Sequence, residues 1–142
     1  MNTPNVRLLT DSACDLPQHV ADELGIAIVP LTIRIDGVEY TDRVDLSPPE
    51  FWARCAASST LPETAAPAPG QFEQEYRRLA AEGANDIVVV SLSGALSATI
   101  QSAELAARSV ADVVPVHVVD SHSCTLGLGG LVVHAARMAR DG

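Results

Sequence analysis

Four apolar runs rich in β-branched residues punctuate the chain, at residues 6–10, 26–31, 87–92 and 116–119. Continuous apolarity of that length predicts strands, with those at 6–10 and 87–92 read as buried in the core. Between them the apolar period lengthens to that of a helix. Val20 and Leu24 stand at i and i+4 in a helix predicted over about 17–24, with Gly25 as its stop. Phe72, Tyr76, Leu79 and Ala80 share one helical face closed by Gly83, and further helices are predicted over 98–109 and about 126–140. Ile33, Ile35, Val38 and Tyr40 alternate around Asp36-Gly37, the pattern of a tight hairpin. Ser47-Pro48-Pro49-Glu50 reads as a capping box with proline at the first helical position, starting a helix that runs through Trp52 to about residue 57. Pro62, Pro67 and Pro69 exclude helix from 60–70 and predict an extended loop there. Strands alternating with helices predict an α/β, three-layer sandwich. Its mainly parallel sheet has about four strands, joined by right-handed crossovers, with a small β-hairpin added.

At 142 residues the chain makes one domain, long enough to bury roughly 68% of its unfolded surface. A content of 47% hydrophobic and 19% charged residues excludes intrinsic disorder. The net charge of −9 argues against nucleic acid and anionic bilayers as partners, because both select basic patches. No apolar run has the length of a membrane span, so no integral membrane association is expected. The start, MNTPNVRLL, lacks the basic and long apolar regions of a signal peptide, which predicts a cytoplasmic protein. Cys14, Cys55 and Cys124 are odd in number and widely spaced, so a disulfide framework, a metal site and a cofactor are not expected.

Three of the apolar runs end in clusters of hydroxyls and small residues, and loops at the carboxyl ends of parallel strands converge on one crevice. Thr10, Asp11 and Ser12 follow the first; they either face a ligand or cap the next helix. Ser93, Gly94, Ser97 and Thr99 follow the run at 87–92. Ser97 is placed to cap the next helix, whose amino terminus favours an anion. Asp120, Ser121, Ser123 and Thr125 precede Gly127, Gly129 and Gly130. Glycines inside a helix cost about 1 kcal/mol each, so a ligand or a neighbouring backbone must use the space they leave. Ser93 or Ser97 with His122 and Asp120 can be drawn as a catalytic triad, although G-x-S-x-G is missing.

Taken in order, TDSACDLP, IRIDGVEY, LPETAAPAPGQF, LSATIQSA and VVDSHSCTLGLG resemble the amino-terminal half of the DegV family. The resemblance spans essentially the whole chain. It implies an amino-terminal α/β domain over 1–142, with the family's second, carboxyl-terminal domain absent. It also implies a protein that binds a long-chain fatty acid and presents the carboxylate to a fatty acid kinase, without being a catalyst itself. In the family a threonine of the proline-rich loop and a serine of the LSGT-like motif hold the carboxylate; the matching positions are Thr64 and Ser97. A histidine that joins them belongs to the second domain. Ala65, Ala98 and Ile100 depart from the family's usual serine, glycine and aromatic residue, which bears on pocket shape and acyl preference.

The expected pocket lining is Thr10, Asp11, Ser12, Ser93, Gly94, Ala98, Asp120, Ser121, Gly127 and Gly129. Burying an acyl tail at about 0.8 kcal/mol per CH₂ would set affinity, and hydroxyls would set orientation. Two other readings stand beside this one. One is a serine esterase or phosphotransferase using Ser93 or Ser97 with His122. The other is an isolated fragment without a competent site.

Overall fold

A computed structural model describes residues 5–142. Its first strand, β1 (Val6–Asp11), runs into a short 3-10 turn at Ser12–Cys14 and helix α1 (Gln18–Leu24). Strand β2 (Ala27–Val29) precedes the hairpin of β3 (Thr32–Ile35) and β4 (Val38–Thr41), then α2 (Pro48–Ala57). A short strand β5 (Glu63–Ala65) leads to α3 (Pro69–Ala81), and β6 (Asp86–Ser91), α4 (Thr99–Ser109), β7 (Val116–Asp120) and α5 (Thr125–Asp141) complete the chain.

The main sheet has strand order β2-β1-β6-β7 and is parallel throughout. Successive residues of a strand face opposite sides, so its two faces feed two separate cores. Leu9, Ile87 and Val89 pack with Phe72, Tyr76 and Leu79 of α3 and Ala103 and Ala106 of α4. Leu8 and Val90 pack on the other face with Ala21 of α1 and Leu128, Val132 and Ala136 of α5. The arrangement is a three-layer α/β sandwich, as the apolar pattern predicts. Tyr76 is fully buried, and its hydroxyl donates to the Ala103 carbonyl at 3.1 Å, tying α3 to α4.

Caps and turns follow their local chemistry. Gly25 ends α1 in the left-handed conformation, at φ 65°. Glu50 accepts from the Ser47 backbone N–H at 2.9 Å and from the Ser47 hydroxyl at 2.5 Å, closing the capping box of α2. Asp36 and Gly37, at φ 50° and 80°, make the primed turn that matches strand twist.

The segment 60–70 departs from the expected free loop. Residues 63–65 pair antiparallel with β3, and a three-stranded sheet of order β4-β3-β5 replaces a bare hairpin. β3 offers unpaired backbone groups on its second edge, and the three residues lie between Pro62 and Pro67, so neither proline removes a donor from the pairing. Ile33, Ile35 and Leu46 form a small third core beneath Tyr40, Phe51 and Cys55.

The glycines at the start of α5 divide by what surrounds them. A β-carbon on Gly129 would lie 2.5 Å from the Cys14 carbonyl oxygen, whereas one on Gly130 would meet open space. A neighbouring backbone therefore uses the space at Gly129. Gly129→Ala is expected to lower unfolding free energy by about 1–3 kcal/mol through overpacking. Gly130→Ala is expected to raise it by about 0.5–1 kcal/mol through helix propensity. Urea denaturation of the two variants checks the pair. Equal shifts of the same sign would refute the close approach of α5 to the 3-10 turn.

Candidate functional site

The three polar loops do meet at one end of the parallel sheet. Ser91 at the end of β6 pairs with Asp120 at the end of β7, and β1 runs parallel on the other side of β6. The Ser121 N–H donates to the Ser91 carbonyl and the Ser93 N–H to the Ser123 carbonyl, at 3.1 and 3.0 Å. Leu96 on the loop after β6 and Leu126 in the first turn of α5 stand exposed, 67% and 64% accessible, and give the polar rim an apolar fringe.

The first loop turns inward. Thr10 is buried and its hydroxyl donates to the Val90 carbonyl at 2.8 Å. Ser12 is buried and its hydroxyl accepts from the Leu31 N–H at 3.0 Å. Asp11 caps the 3-10 turn by accepting from the Ala13 N–H at 3.1 Å, and it reaches across to the Leu92 N–H at 2.8 Å. Burial holds the Asp11 carboxyl above its ordinary value, against the opposing pull of these hydrogen bonds. Burial likewise raises the Cys14 thiol, which suits an inert core residue. The sequence reading left open whether these residues cap or face a ligand; their polar atoms are engaged with backbone.

The second loop has one serine buried and one nearer the surface. Ser93 is buried, and its hydroxyl accepts from the Ala95 N–H at 3.3 Å. Ser97 is half-buried; its hydroxyl accepts from the Thr99 N–H at 3.2 Å and shares a 2.9 Å hydrogen bond with the Thr99 hydroxyl. Ser97 thus caps the first turn of α4 as its position predicts, beside exposed Ala98. A β-carbon on Gly94 would lie 2.9 Å from an Asp120 carboxylate oxygen and 3.2 Å from the Ile100 side chain, so a larger residue there would displace both.

In the third loop Asp120 accepts from the His122 N–H at 2.9 Å, which is the first cause of its lowered carboxyl pKa. His122 and Thr125 hold positive φ, 49° and 50°, a conformation that costs side-chain-bearing residues energy. Ser121 donates to the Ser123 carbonyl at 3.2 Å, and a β-carbon on Gly127 would run into the Ser123 hydroxyl. His122 Nδ1 lies 3.6 Å from Asp120 Oδ2, but neither Ser93 nor Ser97 hydrogen-bonds to His122 among the described residues. Both hydroxyls are engaged with neighbouring backbone instead. Among the described residues no cluster of His, Cys, Asp and Glu has the makings of a metal site.

Thr64 lies outside these loops, on β5, opposite Ile33 and exposed. It borders a depression of about 50 Å³ with Thr32, Arg34, Glu39, Glu63 and Ala65. Small-molecule pockets usually hold about 300–1,000 Å³, so this one is too small to enclose such a ligand. Arg34 is the cation nearest in the pairing, and Glu39 and Glu63 hold its guanidinium at 2.5 and 3.4 Å. Thr64 and Ser97 thus reach the surface from different sheets, and they make no hydrogen bond to one another among the described residues.

Comparison with known proteins places this architecture. A family model described as "Uncharacterised protein, DegV family" matches residues 5–142. The chain belongs to the DegV family. A DegV domain-containing protein of Deinococcus radiodurans is 40% identical over 139 residues, covering 97% of this chain and 48% of that protein. Another, from Caldanaerobacter subterraneus, is 36% identical over 137 residues, with 96% and 48% covered. The chain spans about half the length of these curated DegV relatives.

Two solved DegV-type structures overlay closely. One, described as fatty acid binding of a DegV family protein from Thermus thermophilus, has a TM-score of 0.87 at 36% identity, over 97% of this chain and 48% of its own. The other, a stearic acid-binding protein from Eubacterium ventriosum, has a TM-score of 0.89 at 27% identity, over 96% and 48%. The exposed Leu96 and Leu126 escaped the sequence reading of this DegV domain. The apolar pattern gives no way to tell a rim leucine from a core one.

Because the Ser93 and Ser97 hydroxyls are engaged with backbone and not with His122, a fluorophosphonate probe is expected to leave both unlabelled. Labelling that disappears in Ser93→Ala or Ser97→Ala, read by intact-mass spectrometry, would restore the triad.

Proposed function

We propose that this chain is a lipid-binding module that takes the carboxylate of a long-chain fatty acid on Thr64 and Ser97. The observation that carries the reading is the overlay with DegV structures described as fatty-acid binding, which runs over nearly all of this chain. Hydroxyl-bearing loops at one end of the sheet and an apolar fringe at Leu96 and Leu126 support it. A carboxylate held by hydroxyls gains charge-assisted bonds while the tail supplies most of the affinity. The neutral grip leaves the head group free to react, where a bidentate arginine would hold it fast.

The module binds and presents; a separate fatty acid kinase, in the cytoplasm, supplies the chemistry. The relatives are about twice as long. In this proposal a second half like theirs forms the remaining wall around the tail, since the depression at Thr64 is too small to enclose it.

Native mass spectrometry of the purified chain is expected to show a co-purified long-chain fatty acid. Thr64→Ala combined with Ser97→Ala should weaken palmitate or stearate binding by at least about tenfold, the loss of roughly one charge-assisted hydrogen bond. Unchanged affinity in the double variant would defeat the assignment of the two hydroxyls.

A further inference from the structure

Three consecutive backbone amides open the loop that carries Ser97, and each donates to a different partner. Leu92 N–H donates to Asp11 Oδ2 at 2.8 Å, Ser93 N–H to the Ser123 carbonyl at 3.0 Å, and Gly94 N–H to the Asp120 carboxylate at 3.2 Å. The loop is therefore held from both neighbouring strand ends, by an aspartate on each side. Ser97 hangs from the same turn, since its own N–H donates to the Ser93 carbonyl at 3.1 Å.

The two aspartates are not equivalent. Asp120 stays partly in water, with its side chain 25% accessible. Its Oδ1 accepts from both His122 and Gly94, so a single oxygen satisfies both donors. Asp11 is 1% exposed, and its partners are two amides and the Ser91 hydroxyl; among the described residues no cation offsets its burial. A carboxylate in that setting is costly and its pKa rises accordingly. What it supplies is an acceptor on each oxygen: Oδ1 takes Ala13 from its own turn, and Oδ2 takes Leu92 from the far loop. Asparagine has one carbonyl oxygen, so its amide group would have to face one of these two donors. Neither simple capping nor core packing calls for that second oxygen.

We infer that Asp11 is the positioning residue of the β6–α4 loop, fixing its register against the first turn and so setting where Ser97 is presented. Its consequence for ligand affinity rests on the fatty-acid reading above; its consequence for loop order does not.

The test uses the whole 142-residue chain and two matched substitutions, Asp11→Asn and Asp120→Asn. Amide hydrogen exchange over 92–97 and stearate affinity are both measured. Asp11→Asn is expected to speed exchange across 92–97 by about tenfold or more, leave β6 core amides such as Val89 protected, and weaken stearate binding by about tenfold. Asp120→Asn, which keeps an oxygen for both of its donors, is expected to stay close to wild type in both.

Unchanged exchange at 92–97 in Asp11→Asn overturns the inference. So does faster exchange with stearate affinity equal to wild type, or equal effects from the two substitutions. If wild type takes up no stearate, the fatty-acid reading falls and exchange alone decides the role of Asp11. Should Asp11→Asn not fold, Asp11→Ser keeps an oxygen for Ala13, leaves Leu92 without one, and is judged by the same loop exchange.

Discussion

Parallel pairing of β1 with β6, from Val6 opposite Asp86 to Leu9 opposite Val89, brings segments about eighty residues apart into one rim. In a parallel sheet all strands end on the same side, and each must be followed by a crossover that packs back on a face. The loops at that end therefore lie next to one another as a geometric necessity, before any residue in them is chosen. Thr10 bonding to Val90 and Asp11 bonding to Leu92 are the sequence's use of that neighbourhood.

Much of the polar chemistry at the rim is spent on holding the rim in place. Buried N–H and carbonyl groups must find partners, and the turns leaving β1, β6 and β7 have no ladder to continue. Asp11, Ser12, Ser93, Ser97 and Asp120 satisfy those groups. What remains to present outward includes a half-buried Ser97, exposed His122 and Thr125 beyond β7, an exposed Thr64 on another sheet, and exposed leucines. Among the described residues neither Ser93 nor Ser97 hydrogen-bonds to His122, and Arg34 beside Thr64 is already paired with Glu39 and Glu63.

The chain spans about half the length of the DegV relatives it matches. The chain carries its own two cores, one on each face of the sheet, so each face is covered without help. The apolar fringe at the strand ends, Leu96 and Leu126, lies outside both cores.

The sequence by itself determined the layers. Continuous apolar runs specify the strands, the 3.6-residue spacing of Phe72, Tyr76 and Leu79 specifies a helix and its inner side, and Asp36-Gly37 and the Ser47–Glu50 box specify local turns and caps. All of these are interactions over a few residues, which is why they are legible. Family resemblance singled out Thr64 and Ser97 without saying how they sit. Tertiary structure decided the rest. It recruited residues 63–65 to the edge of β3, placed the Cys14 carbonyl against Gly129, and drew Asp11 inward to bond an amide 81 residues away. Whether a hydroxyl faces a ligand or a backbone amide depends on which distant loop arrives beside it, and no local pattern encodes that arrival.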